Sequence, residues 1–151
     1  MGTGDAEIET AAVPQLLVRR GRAAVAFYET AFGAVEVYRI GGTDDHPELV
    51  AQLRVGPSTF WVADESPEHM NFSPETLGGA TTRMLLVVGD PEATMRRALE
   101  AGAREVYPLG ESHGWLLGRV EDPFGHHWEI GRPLGPWPPP AGGTHSPPST
   151  R

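Results

Sequence analysis

A repeat governs what this chain can fold into. The segment Phe32-Gly-Ala-Val-Glu-Val-Tyr38 returns as Ala101-Gly-Ala-Arg-Glu-Val-Tyr107, an offset of 69 residues, and the same offset aligns Leu16-Leu17-Val18 with Leu85-Leu86-Val87 without a gap. Self-similarity of this kind means two copies of one supersecondary unit stacked to share a core. A chain of 151 residues accommodates two such copies as one domain or two tightly fused halves.

Each copy reads the same way. An apolar run opens it, Val13–Val18 in the first and Met84–Val88 in the second, and both read as buried strands. An amphipathic helix follows, with Ala24, Phe27, Tyr28 and Ala31 in the first copy and Met95, Ala98, Leu99 and Gly102 in the second, at i, i+3, i+4, i+7. Asp90 and Pro91 suit the N-cap and first position of the second helix. Gly33 and Gly102 stand where a left-handed residue ends each helix. A short strand comes next (Ala34–Ile40; Arg104–Tyr107), then two more joined by a tight turn. These are Leu49–Val55 and Ser58–Ala63 around Gly56-Pro57, and Trp115–Glu121 and His126–Gly131 around Asp122-Pro123-Phe124-Gly125. The expected class is α+β: two βαβββ modules over residues 11–67 and 81–133, with residues 68–80 as linker. No convincing element is read between Asp64 and Ala80. Residues 1–10 are expected to be loose. The tail, 134–151, is expected to be disordered, because seven of the 15 prolines fall between Pro133 and Arg151 and Trp137 is the only aromatic there.

Composition excludes several functions. A net charge of −8, with Arg19, Arg20 and Arg22 as the only dense basic run, argues against nucleic acid as a partner. No stretch approaches 18 apolar residues, so no membrane span is expected, and Met1–Thr10 has no signal-peptide pattern. With no cysteine there is no disulfide, thiolate nucleophile or Cys-ligated zinc, and a cytoplasmic location is the default expectation. No catalytic triad, phosphate loop or dinucleotide fingerprint is present.

The paired modules, the string Ala26-Phe27-Tyr28-Glu29-Thr30-Ala31-Phe32-Gly33 and the string Asp122-Pro123-Phe124-Gly125-His126-His127-Trp128-Glu129-Ile130 together resemble the vicinal oxygen chelate superfamily of glyoxalase I, bleomycin-resistance proteins and extradiol dioxygenases. Leu53-Arg54-Val55-Gly56 and Ala63-Asp64-Glu65 are similar to its PhnB-like branch. The resemblance covers residues 13–132 and implies curled mixed sheets around a concave cleft. It also implies a divalent metal held by four side chains from the first and last strands of each module, acting as a Lewis acid on vicinal substrate oxygens.

Those four positions map onto Gln15, Trp61, Met84 and Glu129. Indole offers only an N–H donor, a thioether is too soft for a hard divalent ion, and an amide is a weak neutral ligand. One carboxylate does not make a site that takes three or four protein ligands. A slip of one residue would offer Pro14 or Leu16, Phe60 or Val62, Arg83 or Leu85, none of which restores a ligand. The reading therefore expects neither metal nor other cofactor. The best residual metal set is His113, His127 and Glu129, although i, i+2 pairs on a strand are mostly not ligands.

Alternation instead gives a ligand-binding wall. Thr59, Trp61 and Ala63 share one face, as do Gln15 and Leu17, Met84, Leu86 and Val88, and Trp115, Leu117 and Arg119. The expected contacts are Gln15, Leu17, Trp61, Met84, Leu86, His113, Trp115, His127 and Glu129, with Trp128 and Phe60 turned into the core. Apolar walls with few polar groups describe a small-molecule pocket, and indole faces stack on planar or cationic ligands. Two function classes compete. The favoured one is a metal-free protein that sequesters a small aromatic or cationic-aromatic compound, as antibiotic-binding relatives do. The other is a lyase, isomerase or dioxygenase in which Glu129 serves as acid/base or in an irregular metal site. A homodimer is expected, because an apolar sheet edge seeks a partner.

Overall fold

The computed structural model describes residues 7–141. The loose segment expected at 1–10 and the tail expected at 134–151 therefore lie partly outside the described residues. The first module comprises β1 (Gln15–Val18), α1 (Gly21–Phe32), β2 (Val35–Gly41), β3 (Leu49–Val55) and β4 (Ser58–Asp64). The second comprises β5 (Arg83–Val87), α3 (Pro91–Glu100), β6 (Arg104–Ser112), β7 (Trp115–Glu121) and β8 (His127–Pro133). Each forms a four-stranded mixed sheet, ordered β1-β4-β3-β2 and β5-β8-β7-β6, in which the first strand pairs in parallel with the last. These are two βαβββ modules.

The helices form where the sequence predicts. Ala24, Phe27, Tyr28 and Ala31 are all buried, and Gly33 ends α1 at φ 68°, with the Ala34 amide returning to the Tyr28 carbonyl at 3.1 Å. Asp90 caps α3 by accepting from the Ala93 amide at 3.1 Å, with Pro91 at its first position. Leu99 departs from the predicted face and is exposed, whereas Met95 and Ala98 are buried. The region read as featureless holds a 3-10 turn (Pro67–His69) and a short helix, α2 (Pro74–Leu77), N-capped by Ser73. Glu65 ties this segment down by accepting from the Ser73 amide at 2.9 Å and the Thr76 hydroxyl at 2.8 Å. Those bonds, the amide's foremost, hold its carboxyl below the usual range. β6 runs to Ser112, well past Tyr107, with irregular register between Tyr107 and Gly110. Its outer side is unpaired, so Pro108 costs no ladder bond.

A single core spans both modules. Trp128 of β8 lies among Phe32, Tyr28 and Phe60 of the first module, with ring centroids 4.7, 5.3 and 5.6 Å away. Directly beneath, the buried Asp122 carboxylate accepts from the Phe124 amide at 2.9 Å, the His126 amide at 3.0 Å, the Trp128 indole at 3.0 Å and the Tyr28 hydroxyl. Burial, reinforced by the Asp122 charge, pushes the Tyr28 phenol well above its ordinary value. Gly125 completes the turn at φ 93°, where a β-carbon would sit 2.7 Å from Pro74. The Asp122–Gly125 turn thus fastens one module to the other as well as reversing a hairpin.

The tail begins with a docked segment. The Leu134 amide donates to the Gly114 carbonyl at 2.8 Å, and Trp137 meets Trp115 edge to face at 5.3 Å. That aromatic contact holds the start of a stretch whose composition alone offered no reason for order. Among the described residues no helix is long and apolar enough to cross a membrane.

Candidate functional site

Each sheet has one face packed on its helix and one turned away. On the first sheet Leu16, Val18, Phe60 and Val62 fill the core, so Gln15, Leu17, Thr59, Trp61 and Ala63 lie on the outward face, as predicted. Parallel pairing sets Gln15 beside Trp61. Trp61 is half-buried, stands outside the core cluster and meets Tyr38 at 6.1 Å, edge to face.

The second sheet corrects the expected face of its first strand. Parallel pairing sets Leu85, not Met84, beside Glu129, and puts Met84 beside Trp128. Met84 and Leu86 therefore face the core, where Leu86 is buried and Met84 packs against it, while Leu85 and Val87 take the outward positions and are exposed. Helix ends repeat at 69 residues, but the ladder equates Gln15 with Leu85 and Trp61 with Glu129, offsets of 70 and 68. The unbroken apolar run from Met84 to Val88 gives no alternation to reveal this. The four central positions are therefore Gln15, Trp61, Leu85 and Glu129.

Glu129 is 16% exposed and pairs with Arg83, whose Nε lies 3.2 Å from its Oε1. The partner is a cation from the neighbouring strand, β5. His127 shares the outward face, its Nε2 4.0 Å from Glu121, and Glu121 in turn pairs with Arg104. Desolvation, followed by the Arg119 charge, holds the His127 imidazole below its ordinary value. Arg119, opposite Glu129 in the ladder, places its guanidinium 5.3 Å from the Tyr107 ring centre. Two buried donor-capable atoms here, Arg119 Nε and His127 Nδ1, have no hydrogen-bond partner.

The remaining candidates separate. His113 occupies the β6–β7 turn at φ 55°, its Nδ1 2.7 Å from the Ser112 hydroxyl. Pairing of Trp115 with Pro133 and of Glu121 with His127 puts His113 and His127 at opposite ends of the β7–β8 pair, about 20 Å apart at ~3.3 Å per residue. The His113, His127 and Glu129 set therefore does not assemble. Trp115 is on the outward face but is covered by Trp137. His126, adjacent to His127, bonds the Leu17 carbonyl at 2.8 Å and serves the junction between modules. A groove of about 750 Å³ runs between the edges of β1 and β5, with Gln15, Leu17, Phe72, Leu77 and Met84 among its walls. Met84 thus lines this groove beside Gln15 and Leu17 while it packs against the core.

A chelated metal does not fit the four central positions. They supply one carboxylate, already bridged to a guanidinium, beside an amide, an indole and an isobutyl group. Among the described residues no group of three or more His, Asp or Glu side chains is arranged to hold an ion.

Comparison with known proteins agrees with this fold. A family model described as a glyoxalase-like domain matches residues 15–131. An uncharacterized protein of Mycobacterium bovis is 39% identical over 132 residues, spanning 84% of this chain and 86% of the relative. The crystal structure of an Arabidopsis thaliana gene product superposes with a TM-score of 0.63 at 30% identity, covering 82% of this chain and 98% of that one. The fosfomycin resistance protein FosX of Listeria monocytogenes superposes at 0.66 with 13% identity, covering 84% and 95%, a likeness of fold alone. The chain therefore belongs to the glyoxalase-like domain family, within the vicinal oxygen chelate superfamily.

Proposed function

We propose that this chain is a metal-free small-molecule-binding protein that sequesters a largely planar aromatic compound, in antibiotic resistance or natural-product binding. One observation carries the reading: the strand pairs that would present a chelate present Gln15 beside Trp61 and Leu85 beside Glu129. An indole outside the core, edged by Tyr38, is a stacking surface rather than a ligand set. The ion pair with Arg83 balances the charge that a cationic ligand would have sought at Glu129, which favours the aromatic over the cationic-aromatic ligand. The role of FosX in fosfomycin resistance is compatible with this reading, but fold does not carry function across.

We also propose a cytoplasmic homodimer. β2 is an edge strand whose Val35, Val37, Tyr38 and Ile40 are about half exposed, an apolar surface that a second copy would cover. The alternative reading, an enzyme acting through Glu129, is supported by the placement of that carboxylate among the four central positions with His127 two residues away on the same face. A panel of planar aromatic compounds titrated by tryptophan fluorescence tests the binding reading. Saturable quenching in the wild type, weakened in Trp61→Phe with unchanged melting temperature, is the expected result. Turnover of a panel compound by the wild type and its loss in Glu129→Gln would favour the enzyme.

A further inference from the structure

The outward face of the second sheet holds a feature that the aromatic reading leaves unused. A cavity of about 90 Å³ is lined by Ala80, Thr81, Thr82, Arg83, Arg119 and His127. That volume is well above the roughly 10–15 Å³ that admits one water. Two guanidiniums, one imidazole and two hydroxyl-bearing residues border it, and no carboxylate is among the lining residues. Two of the polar atoms in these linings, Arg119 Nε and His127 Nδ1, are buried without a partner. Buried polar atoms left unsatisfied are uncommon in native folds, and each calls for a partner such as a water, an ion or a ligand group.

The charges around the cavity point the same way. Arg83, Arg104 and Arg119 stand on this face against Glu121 and Glu129, with Arg83 paired to Glu129 and Arg104 to Glu121. Arg119 is the excess cation, and it sits between β6 and β8 with its face on Tyr107. A planar guanidinium held on a ring with its Nε buried is preorganised for an oxyanion, because its donors form a rigid fork. Thr81 and Thr82, on the segment entering β5, add hydroxyl-bearing side chains to the lining.

We infer that the cavity bordered by Arg83, Arg119, His127 and the Thr81-Thr82 segment is an oxyanion site, recognising the carboxylate, phosphate or sulfate group of a small molecule. It deepens the binding reading by giving the ligand an acidic group, and it rests on that reading only for the ligand's ring. The cavity itself stands on its own geometry.

The test uses inorganic phosphate and phenyl phosphate as probes on the full chain at constant ionic strength, followed by the His127 imidazole resonances and by calorimetry. Phosphate is expected to shift His127 saturably. Arg119→Gln should weaken it at least about tenfold, while Arg54→Gln, on the first sheet, should leave it unchanged. Arg119→Lys, which keeps the charge and loses the fork, should be intermediate and guards against a folding defect in the glutamine variant. Tighter binding of phenyl phosphate than of phosphate would identify an organic acid as the ligand class, and equal affinities would identify the free anion. An unsaturable response, or equal weakening by Arg119→Gln and Arg54→Gln, would overturn the site. If phosphate binds and no aromatic panel compound does, the aromatic reading fails alone; if the panel binds and phosphate does not, this inference fails alone.

Discussion

On the first sheet, the face turned from the helices carries Gln15, Leu17, Thr59, Trp61 and Ala63; the matching positions of the second sheet carry Leu85, Val87, His127, Glu129 and Gly131, flanked by Arg83 and Arg119. Strand order and pairing are the same in both. Yet one face is neutral and aromatic along β1 and β4, while the other is crossed by the Arg83–Glu129 and Arg104–Glu121 ion pairs. The helix-side faces do not diverge in this way: Val62 and Ile130, Phe60 and Trp128, and Leu16 and Leu86 are buried apolar groups in equivalent places. Duplication constrains the side that must pack and frees the side that need not. The chemistry of this protein lies on the free side.

The largest expected effects test the helix side. Trp128→Ala should cost about 3–5 kcal/mol in denaturant unfolding, since it empties the aromatic cluster that joins the modules. Asp122→Ala should cost a similar amount, about 3–5 kcal/mol, by stranding donors from Tyr28, Trp128, Phe124 and His126. Trp61→Ala, the same kind of truncation on the outward face, should cost only about 1–2 kcal/mol of stability, while weakening an aromatic ligand by about 1–3 kcal/mol. Equal stability losses for the two tryptophans would erase the distinction between packing face and binding face.

Smaller effects sharpen the contrast between the outward faces. Glu129→Gln removes a partly exposed ion pair with Arg83 and should change stability by less than about 1 kcal/mol, read as a small shift in the unfolding midpoint. The smallest effect is a pH dependence. The folded His127 imidazole lies below its ordinary value of 6.5, so its contribution is fully present above that pH and is lost as pH falls toward the folded value. Desolvation, with Arg119 and Arg104, lowers it, and Glu121 and Asp122 oppose them. Wild-type stability should therefore decline more than that of His127→Gln as pH falls below about 6.5. Parallel stability curves would show that this face does not titrate in that range. No such response is expected from β1 and β4, whose outward residues Gln15, Leu17, Thr59, Trp61 and Ala63 carry no ionisable group.

Much of this architecture was legible in the residues, and the parts that were not have physical reasons. Leu49–Val55 and Trp115–Glu121 are strands with the predicted limits, because Gly56-Pro57 closes the first and His113-Gly114 precedes the second. The outward placement of Gln15, Leu17 and Trp61 followed from simple alternation. Met84 and Leu86 were assigned to the wrong face because a strand that is apolar throughout has no two-residue signal, and only the ladder to Trp128 and Glu129 fixes it. The role of Asp122 depends on Tyr28, 94 residues earlier, and the cluster of Arg83, Arg119 and His127 on three strands brought together by pairing. No local pattern announces such meetings. Trp137 was visible as the tail's one aromatic, but its target, Trp115, was not.

Metal content tests the replacement of a chelate by an aromatic face most directly. Protein purified without a metal-binding tag, after brief dialysis, should contain far less than one equivalent of nickel, zinc, iron or manganese, and a chelator should leave its melting temperature unchanged, since a bound ion would stabilise by mass action. One equivalent of any of these metals, with a melting temperature that falls on chelation, would contradict the account at the four positions Gln15, Trp61, Leu85 and Glu129.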